Sequence, residues 1–377
     1  MKRTVSRPRR TKPTPMLWLG CDAFAWMRLL MAHRFAVHYS RWPVALIISA
    51  ISPGHTLLRW AQEAIFGRRV ARTPIEHGPL FILGHWRSGT TLLHELLSHD
   101  PRHAAPTTYE CFAPHHFLLS RSWLPRLLGG LMPVRRPMDK MAAGWDRPQE
   151  DEFALCLLGQ PSPYRRIAFP NHPAPDADLL DLRRLPSAIQ RRWKSAFLRL
   201  VRQWTLRSGG RRLVLKSPPH IGRIPLLLEL FPDARFVHLI RNPYVIYPST
   251  LQLWRLLYSI HALQRPSWQT LPEYVLSTFT HLYERFEEDK GLIPPGRLHE
   301  LRYEDLIRDP IGQLAALYRQ LDLGDFAPVQ ASIQAYLSQI KNHETNRYFL
   351  TPDEHHTITQ RWGAVIQRYG YSSEPRP

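Results

Sequence analysis

The sequence predicts an α/β fold, a central parallel sheet between layers of helix, with a helical insertion and an N-terminal helical extension. Three observations predict it. Short apolar runs, of the kind that fill strands buried on both faces, recur along the chain. Each run is followed by residues with helical spacing, and a loop with two glycines joins the first run to its helix. Strands that alternate with helices in this way pair in parallel through right-handed crossovers.

The chain opens on a basic arm carrying Lys2, Arg3, Arg7, Arg9, Arg10 and Lys12 among prolines, a composition that favours a solvated tail. From Met16 to Leu30 the chain is apolar but interrupted by Asp22 and Arg28, which spoils a secretory signal. Val44 to Ile51 is the strongest apolar run near the start and is far shorter than a bilayer. No signal peptide and no transmembrane helix are therefore expected, and the cytoplasm is the expected location. The Trp-rich segment to about Phe66 reads as a helical pair packed on the rest of the chain. Peripheral contact with an anionic membrane is the competing reading. Thr73-Pro74 ends this region, so residues 1–76 form the arm and extension and residues 77–377 the main domain.

Pro79–Gly84 is the first strand, and Leu92, Leu93, Leu96 and Leu97 mark its helix. Residues 101–207 hold few strand-like runs and many prolines. They read as a mostly helical insertion over the carboxyl edge of the sheet, where such folds bind ligands. Three further pairs follow. Leu213–Lys216 leads to a helix over Ile221–Leu230, Arg235–Ile240 to one over Tyr244–Tyr258, and Arg297–Arg302 to one entered through Tyr303-Glu304-Asp305-Leu306.

At 44% hydrophobic and 21% charged residues the 377-residue chain is globular rather than disordered. Its 50 Lys and Arg outnumber 31 Asp and Glu, a formal +19. That surplus selects anionic partners: nucleic acid, an anionic membrane, or a phosphorylated or sulfated small molecule. Cys21, Cys111 and Cys156 are too few and too widely spaced for a disulfide framework or a zinc site, and read as small buried side chains. The 19 histidines include no HExxH pattern, and the neighbours in His115-His116 and His355-His356 do not face one another on a helix. No metal site is expected.

Gly84-His85-Trp86-Arg87-Ser88-Gly89-Thr90-Thr91 carries the chemistry. Against the Walker pattern G-x-x-x-x-G-K-[ST], both glycines and the terminal hydroxyl are present, but Thr90 stands where the lysine belongs. The loop's anion cradle rests on glycines and helix N-terminal N–H groups, so it survives the change. The lysine that reaches β- and γ-phosphates is lost, and a cation returns inside the loop as Arg87. This makes the fold a P-loop-type three-layer one, suited to a 5′-phosphate plus one further anionic group.

The stretch Ile82–Leu93, with its Arg-Ser-Gly-Thr-Thr core, resembles the 5′-phosphosulfate loop of sulfotransferases that use 3′-phosphoadenosine 5′-phosphosulfate (PAPS). The form is like that of the tyrosylprotein and bacterial branches. Phe236–Pro243 through Ser249 is similar to the family's 3′-phosphate motif, a strand ending in Arg-[Asp/Asn]-Pro with a Ser on the next helix. Lys216-Ser217-Pro218, and Leu301–Leu306 with Asp309-Pro310, resemble two further family segments in the right order. The resemblance covers about Gly78 to Leu321 and is least distinct over the insertion.

What the resemblance implies is transfer of a sulfuryl group from PAPS to a hydroxyl or amine, in line, with a general base and no required metal. Arg87 would serve the phosphosulfate and leaving group, with Ser88, Gly89, Thr90 and Thr91 as backbone and hydroxyl donors. Lys216 would add charge at the phosphosulfate. Arg241, a fork that grips phosphate, and Ser249 would hold the 3′-phosphate, and Tyr303 would lie near the adenine. The base must be Glu, Asp or His within reach of the acceptor. Glu110 stands first, since a Glu in this region serves the tyrosylprotein branch, and His220 second, since cytosolic members use a His just after the motif Lys. Glu150-Asp151-Glu152 is third, against a reading as first-turn acids of a helix begun near Asp146 and Pro148. Lys341, Asn346 and Arg347 could close over the donor or simply face solvent.

Two other classes remain in view. A P-loop kinase is disfavoured by Thr90 and by the lack of a strand-end Asp for Mg²⁺. A non-enzymatic module for nucleic acid or membrane surfaces predicts basic residues on one face among aromatics, whereas the informative Arg and Lys here sit at strand ends. No specific nucleic acid is therefore expected. The acceptor is left as a small molecule, glycan or lipid-like compound.

Overall fold

The computed structural model describes residues 16–129, 144–171, 176–340 and 348–372. The basic arm, and with it Lys341, Asn346 and Arg347, lies outside the described residues.

Leu80–Leu83 forms strand β1, with all four side chains buried. It pairs in parallel with β3 (Arg212–Lys216) on one side and β4 (Arg235–Ile240) on the other. A two-residue strand β2 (His103–Ala104) edges β3, and β5 (Leu298–Arg302) lies on β4, giving the order β2-β3-β1-β4-β5. The register sets Ile82 beside Lys216, Leu83 beside His238 and Ile240 beside Arg302.

Alternation of side chains splits the sheet's two faces. Phe81, Leu83, Leu215 and Phe236 join one buried cluster with Phe197, Leu200 and Trp204 of the Ser187–Ser208 helix. Leu80, Ile82, Val214 and Val237 join another with Leu93, Leu96, Leu314 and Leu317. These are the three expected layers. The chain leaves β1 for β2 and β3 on one side, then crosses to β4 and β5 on the other. The crevice beyond the carboxyl end of β1 is thus the topological switch point, where open α/β sheets bind ligands.

The insertion is mostly helical among the described residues, β2 being its one strand. The helix expected over Ile221–Leu230 is instead a 3-10 turn, Pro218–Gly222, followed by an α-helix, Ile224–Leu230. Pro225 lacks an N–H and fits only a first helical turn, so the α-helix starts there afresh.

In the extension, Asp22 Oδ1 accepts from Ala25 N at 2.7 Å and caps helix α1 (Ala23–Ala32). Trp18 and Trp26 are buried in the main core, and Trp18 Nε1 donates to the His261 carbonyl at 2.7 Å. The extension is therefore docked on the rest of the chain. Helix α2 (Trp42–Arg72) departs from expectation. It runs 31 residues through Pro53, and the stretch Tyr39–Arg72 is long and apolar enough, by length and composition, to cross a membrane. The apolar run Val44–Ile51 was too short to suggest this, because Ser52-Pro53-Gly54-His55 interrupts it before apolar residues resume. The three cysteines are buried and unpaired.

Candidate active site

The loop 84–91 leaves β1 and enters helix α3 (Thr90–Leu97). A Cβ at position 84 would lie 2.7 Å from both the Leu239 carbonyl oxygen and Ser88 Oγ, so only glycine fits. Gly89 caps α3 with φ +96°, and the Tyr303 ring fills the space a Cβ would need. Arg87 holds φ 71°, a left-handed conformation costly for an arginine. Two contacts keep it there: Ser88 Oγ donates to the His85 carbonyl at 2.7 Å, and Arg241 donates to the Arg87 carbonyl at 3.1 Å. Ser88 is fully buried and Thr90 nearly so, while Arg87, Gly89 and Thr91 remain half-buried around the N-terminus of α3, where N–H groups point outwards.

A side chain at position 89 must adopt positive φ and displace Tyr303. The first costs about 1–2 kcal/mol alone, so Gly89→Ala is expected to weaken binding of 3′,5′-adenosine bisphosphate (PAP) by roughly tenfold or more. Calorimetric titration checks it, and affinity equal to that of the unmodified protein contradicts it.

The end of β4 supplies the facing wall. Arg241-Asn242-Pro243 turns into a helix, Pro243–His261, with Asn242 Oδ1 accepting from Tyr244 N at 2.9 Å. Glu304 fixes this turn by accepting from Asn242 N at 3.0 Å and from Tyr371 OH at 2.9 Å. The helix carries Ser249, 2% exposed, whose Oγ accepts from Arg87 Nε at 2.9 Å. The Arg241 guanidinium lies over the Tyr303 ring at 4.3 Å. Burial pushes the Arg241 pKa down, Tyr303 opposes this, and the neighbouring charge of Arg87 adds to it. Two crowded guanidiniums beside a serine hydroxyl and a helix N-terminus form a site that an anion would stabilise. Tyr348, which no sequence signal marked, donates to Gln252 Oε1 at 2.8 Å and reaches Ser249 Oγ at 3.3 Å.

The end of β3 supplies the other corner. Lys216, 2% exposed, pairs with Glu150 Oε1 at 2.6 Å. The other Glu150 oxygen accepts from Tyr164 OH, which in turn accepts from Trp86 Nε1 at 3.0 Å. Burial, then the Glu150 charge, pushes the Tyr164 phenol well up, so it stays protonated and donates. A hydrogen-bonded chain thus joins the loop, at Trp86, to the end of β3, at Lys216. Glu150 enters it as the N-cap of the helix Asp151–Leu157.

The structure brings Arg87, Arg241, Ser249 and Tyr303 into contact around the loop, and sets Lys216 across from them. Glu110 and His220 are held in buried contacts of their own. Glu110 closes a capping box with Thr107 at the start of helix α4 (Thr108–Phe112), and its other oxygen pairs with Arg207 Nε at 2.9 Å. It is 3% exposed, and burial raises its pKa against the pull of Arg207. His220 is wholly buried between Phe81 and Phe197, with Nε2 held by Asp151 Oδ2 at 2.7 Å. Glu152 is spent on a buried pair with Arg223 at 2.6 Å. Glu110 and His220 thus each hold buried partners in this structure, and Glu150 stands at the Lys216 corner of the crevice. No linear pattern marks the Glu150–Lys216 pair, because 66 residues separate its members.

Comparison with known proteins places these features. The family model described as the sulfotransferase family matches residues 79–328. The omega-hydroxy-beta-dihydromenaquinone-9 sulfotransferase Stf3 of Mycobacterium bovis is 47% identical over 362 residues, 96% of this chain and 93% of that protein. Among solved structures, sulfotransferase STF9 of Mycobacterium avium is similar with a TM-score of 0.66 at 20% identity, covering 95% of this chain and 98% of its own. Sulfotransferase STF1 of Mycobacterium tuberculosis gives 0.59 at 19% identity, covering 92% and 94%. At such identities the two structures speak for the fold.

Proposed function

The chain belongs to the sulfotransferase family, and on that premise we propose that it sulfates the hydroxyl end of a lipid-like acceptor with PAPS as donor and Glu150 as general base. The observation that carries the site assignment is the meeting of three cation-bearing corners at one sheet switch point: Arg87 after β1, Lys216 at the end of β3 and Arg241 after β4.

The residues present fit the donor. Arg241 and Ser249 would hold the 3′-phosphate, the loop N–H groups with Thr90, Thr91 and Arg87 the 5′-phosphosulfate, and Tyr303 would border the adenine. PAPS, when bound, supplies the activated sulfuryl group and a phosphate leaving group. Around it Arg87 and Lys216 provide the positive charge that metal ions provide in phosphoryl transfer. Glu150, held in place by Lys216 and Tyr164, accepts the proton of the attacking hydroxyl. Its side chain is 13% exposed, against 4% for Glu110 and none for His220.

Support for a lipid-like acceptor comes from the mycobacterial relative, whose name gives an omega-hydroxylated menaquinone derivative as its substrate. A membrane surface, where such an acceptor resides, belongs to the same reading. The test is product formation from PAPS with an omega-hydroxylated prenyl quinone, a simple sugar and an arylamine, each read by mass spectrometry. The lipid alcohol is expected to be preferred in kcat/KM by about a hundredfold, since apolar contacts discriminate by roughly 10–200-fold per matched group. Preference for the sugar or the amine overturns the acceptor assignment.

A further inference from the structure

Helix α2 faces the wrong way for a helix on a water-washed surface. Its packed side is mixed: Ser52, Thr56 and Gln62 are buried there beside Ile48, Gly67 and Val70. Thr56 Oγ1 accepts from Ala23 N at 3.0 Å, Gln62 Nε2 donates to the His115 carbonyl at 3.1 Å, and His55 Nδ1 lies 2.7 Å from His116 Nε2. Its outward side is apolar. Leu46, Ile47, Ile51, Leu57, Trp60 and Ile65 are all exposed, Leu46 by 69% and Leu57 by 62%. With 3.6 residues per turn they fall on about one half of the helix circumference, over roughly 36 Å of length from Trp42 to Ile65. Between Trp42 and Gly67 the only charges are Arg59 and Glu63, and both are paired off the apolar side, with Asp22 and Arg199. Phe24, Met27 and Met31 of α1 are exposed as well, and Phe35, Tyr39 and Trp42 expose aromatic rings where the two helices join.

Charge frames this surface at both ends. Arg28 and Arg34 are exposed towards the join, and Arg68, Arg69 and Arg72 at the far end of α2. Residues 16–72 hold seven arginines and two acids, and the preceding arm adds six cations and no acid. An apolar stripe with Trp and Tyr at its edge and arginines at its ends is complementary to anionic headgroups above acyl chains.

We propose that the outward faces of α1 and α2 lie in the plane of an anionic phospholipid surface. The polar side of α2 is hydrogen-bonded to residues 23 and 115–119, so the docked helix rests along the membrane instead of crossing it. The use of this surface rests on the lipid-like acceptor, while the surface itself does not. The helix Asp151–Leu157, which starts at Glu150, ends against the extension, where a Cβ on Gly20 would lie 2.9 Å from Leu157 Cδ1. A seven-residue helix, about 10 Å, thus links the proposed base to the buried side of the extension whose outer face would meet lipid.

The full chain is mixed with phosphatidylcholine vesicles with and without phosphatidylglycerol, and sedimented. Binding is expected to the anionic vesicles, to weaken with added salt, and to fall by about tenfold or more in a Leu46→Ser/Leu57→Ser variant, whose two side chains no longer enter the bilayer. PAP affinity of the same variant is expected to stay unchanged, which separates a lost surface from a lost fold. Absence of vesicle binding by a PAP-competent protein, or equal binding by the variant, overturns the proposal. So does a dimer in sedimentation that the same substitutions dissolve, since the face would then belong to a second copy. Vesicle binding without turnover of any lipid alcohol upholds the surface and overturns the acceptor instead.

Discussion

Glu150→Gln is expected to lower kcat/KM for sulfuryl transfer by about 10²–10⁴-fold, the range of a general base, while PAP binding changes by less than threefold. Glutamine keeps the shape and can still meet Tyr164 and Lys216, but it cannot take a proton. As an N-cap without a side-chain cap bond, position 150 gives the helix little to lose, but Lys216, 2% exposed, loses its ion partner, so a loss of stability accompanies the kinetic one. The control is Glu110→Gln. There the loss falls on stability, because Arg207, 11% exposed, is left buried without its ion partner, a break that costs about 3–5 kcal/mol. Turnover by folded Glu110→Gln protein should remain close to normal. Steady-state kinetics and thermal melting of both variants read the two effects. Near-normal turnover by Glu150→Gln, or a lost catalytic step with an intact melt for Glu110→Gln, returns the base to Glu110.

Arg241→Ala is expected to weaken PAP binding by about 10–150-fold, the equivalent of 1.5–3 kcal/mol for hydrogen bonds to a charged group. The side chain carries three contacts at once: charge beside Arg87, the bond to the Arg87 carbonyl and the stack on Tyr303. Lysine cannot replace the fork or the stack, so Arg241→Lys should recover only part of the affinity. Full affinity in Arg241→Ala would move the 3′-phosphate elsewhere in the crevice.

Much of the fold was legible because its strands are continuous apolar runs ended by polar loops. Four of the five strands stand within a residue or two of the runs that announced them. The edge strand β2 was not, since His103-Ala104 is too short to carry any pattern. The order of the strands was equally silent, as nothing local tells β1 that it lies between β3 and β4. The loop could be read because its chemistry is local: two glycines and an arginine between a strand and a helix. The proposed base could not, because its case rests on exposure. Four acids and a histidine were in contention, Glu110 first, and only tertiary contacts show Glu110 on Arg207, Asp151 on His220 and Glu152 on Arg223. The length and apolar surface of helix α2 were hidden for a related reason. No uninterrupted run marks it, because its apolar surface is assembled from both sides of Pro53 by helical spacing.

The most direct measurement is calorimetric titration of the purified protein with PAP, repeated with Mg²⁺ and with ATP. The site built from Arg87, Arg241 and Ser249 predicts saturable PAP binding that needs no metal and that ATP does not match. Absence of PAP binding, or a Mg²⁺-dependent preference for ATP, would contradict the donor site and with it the roles given to these residues.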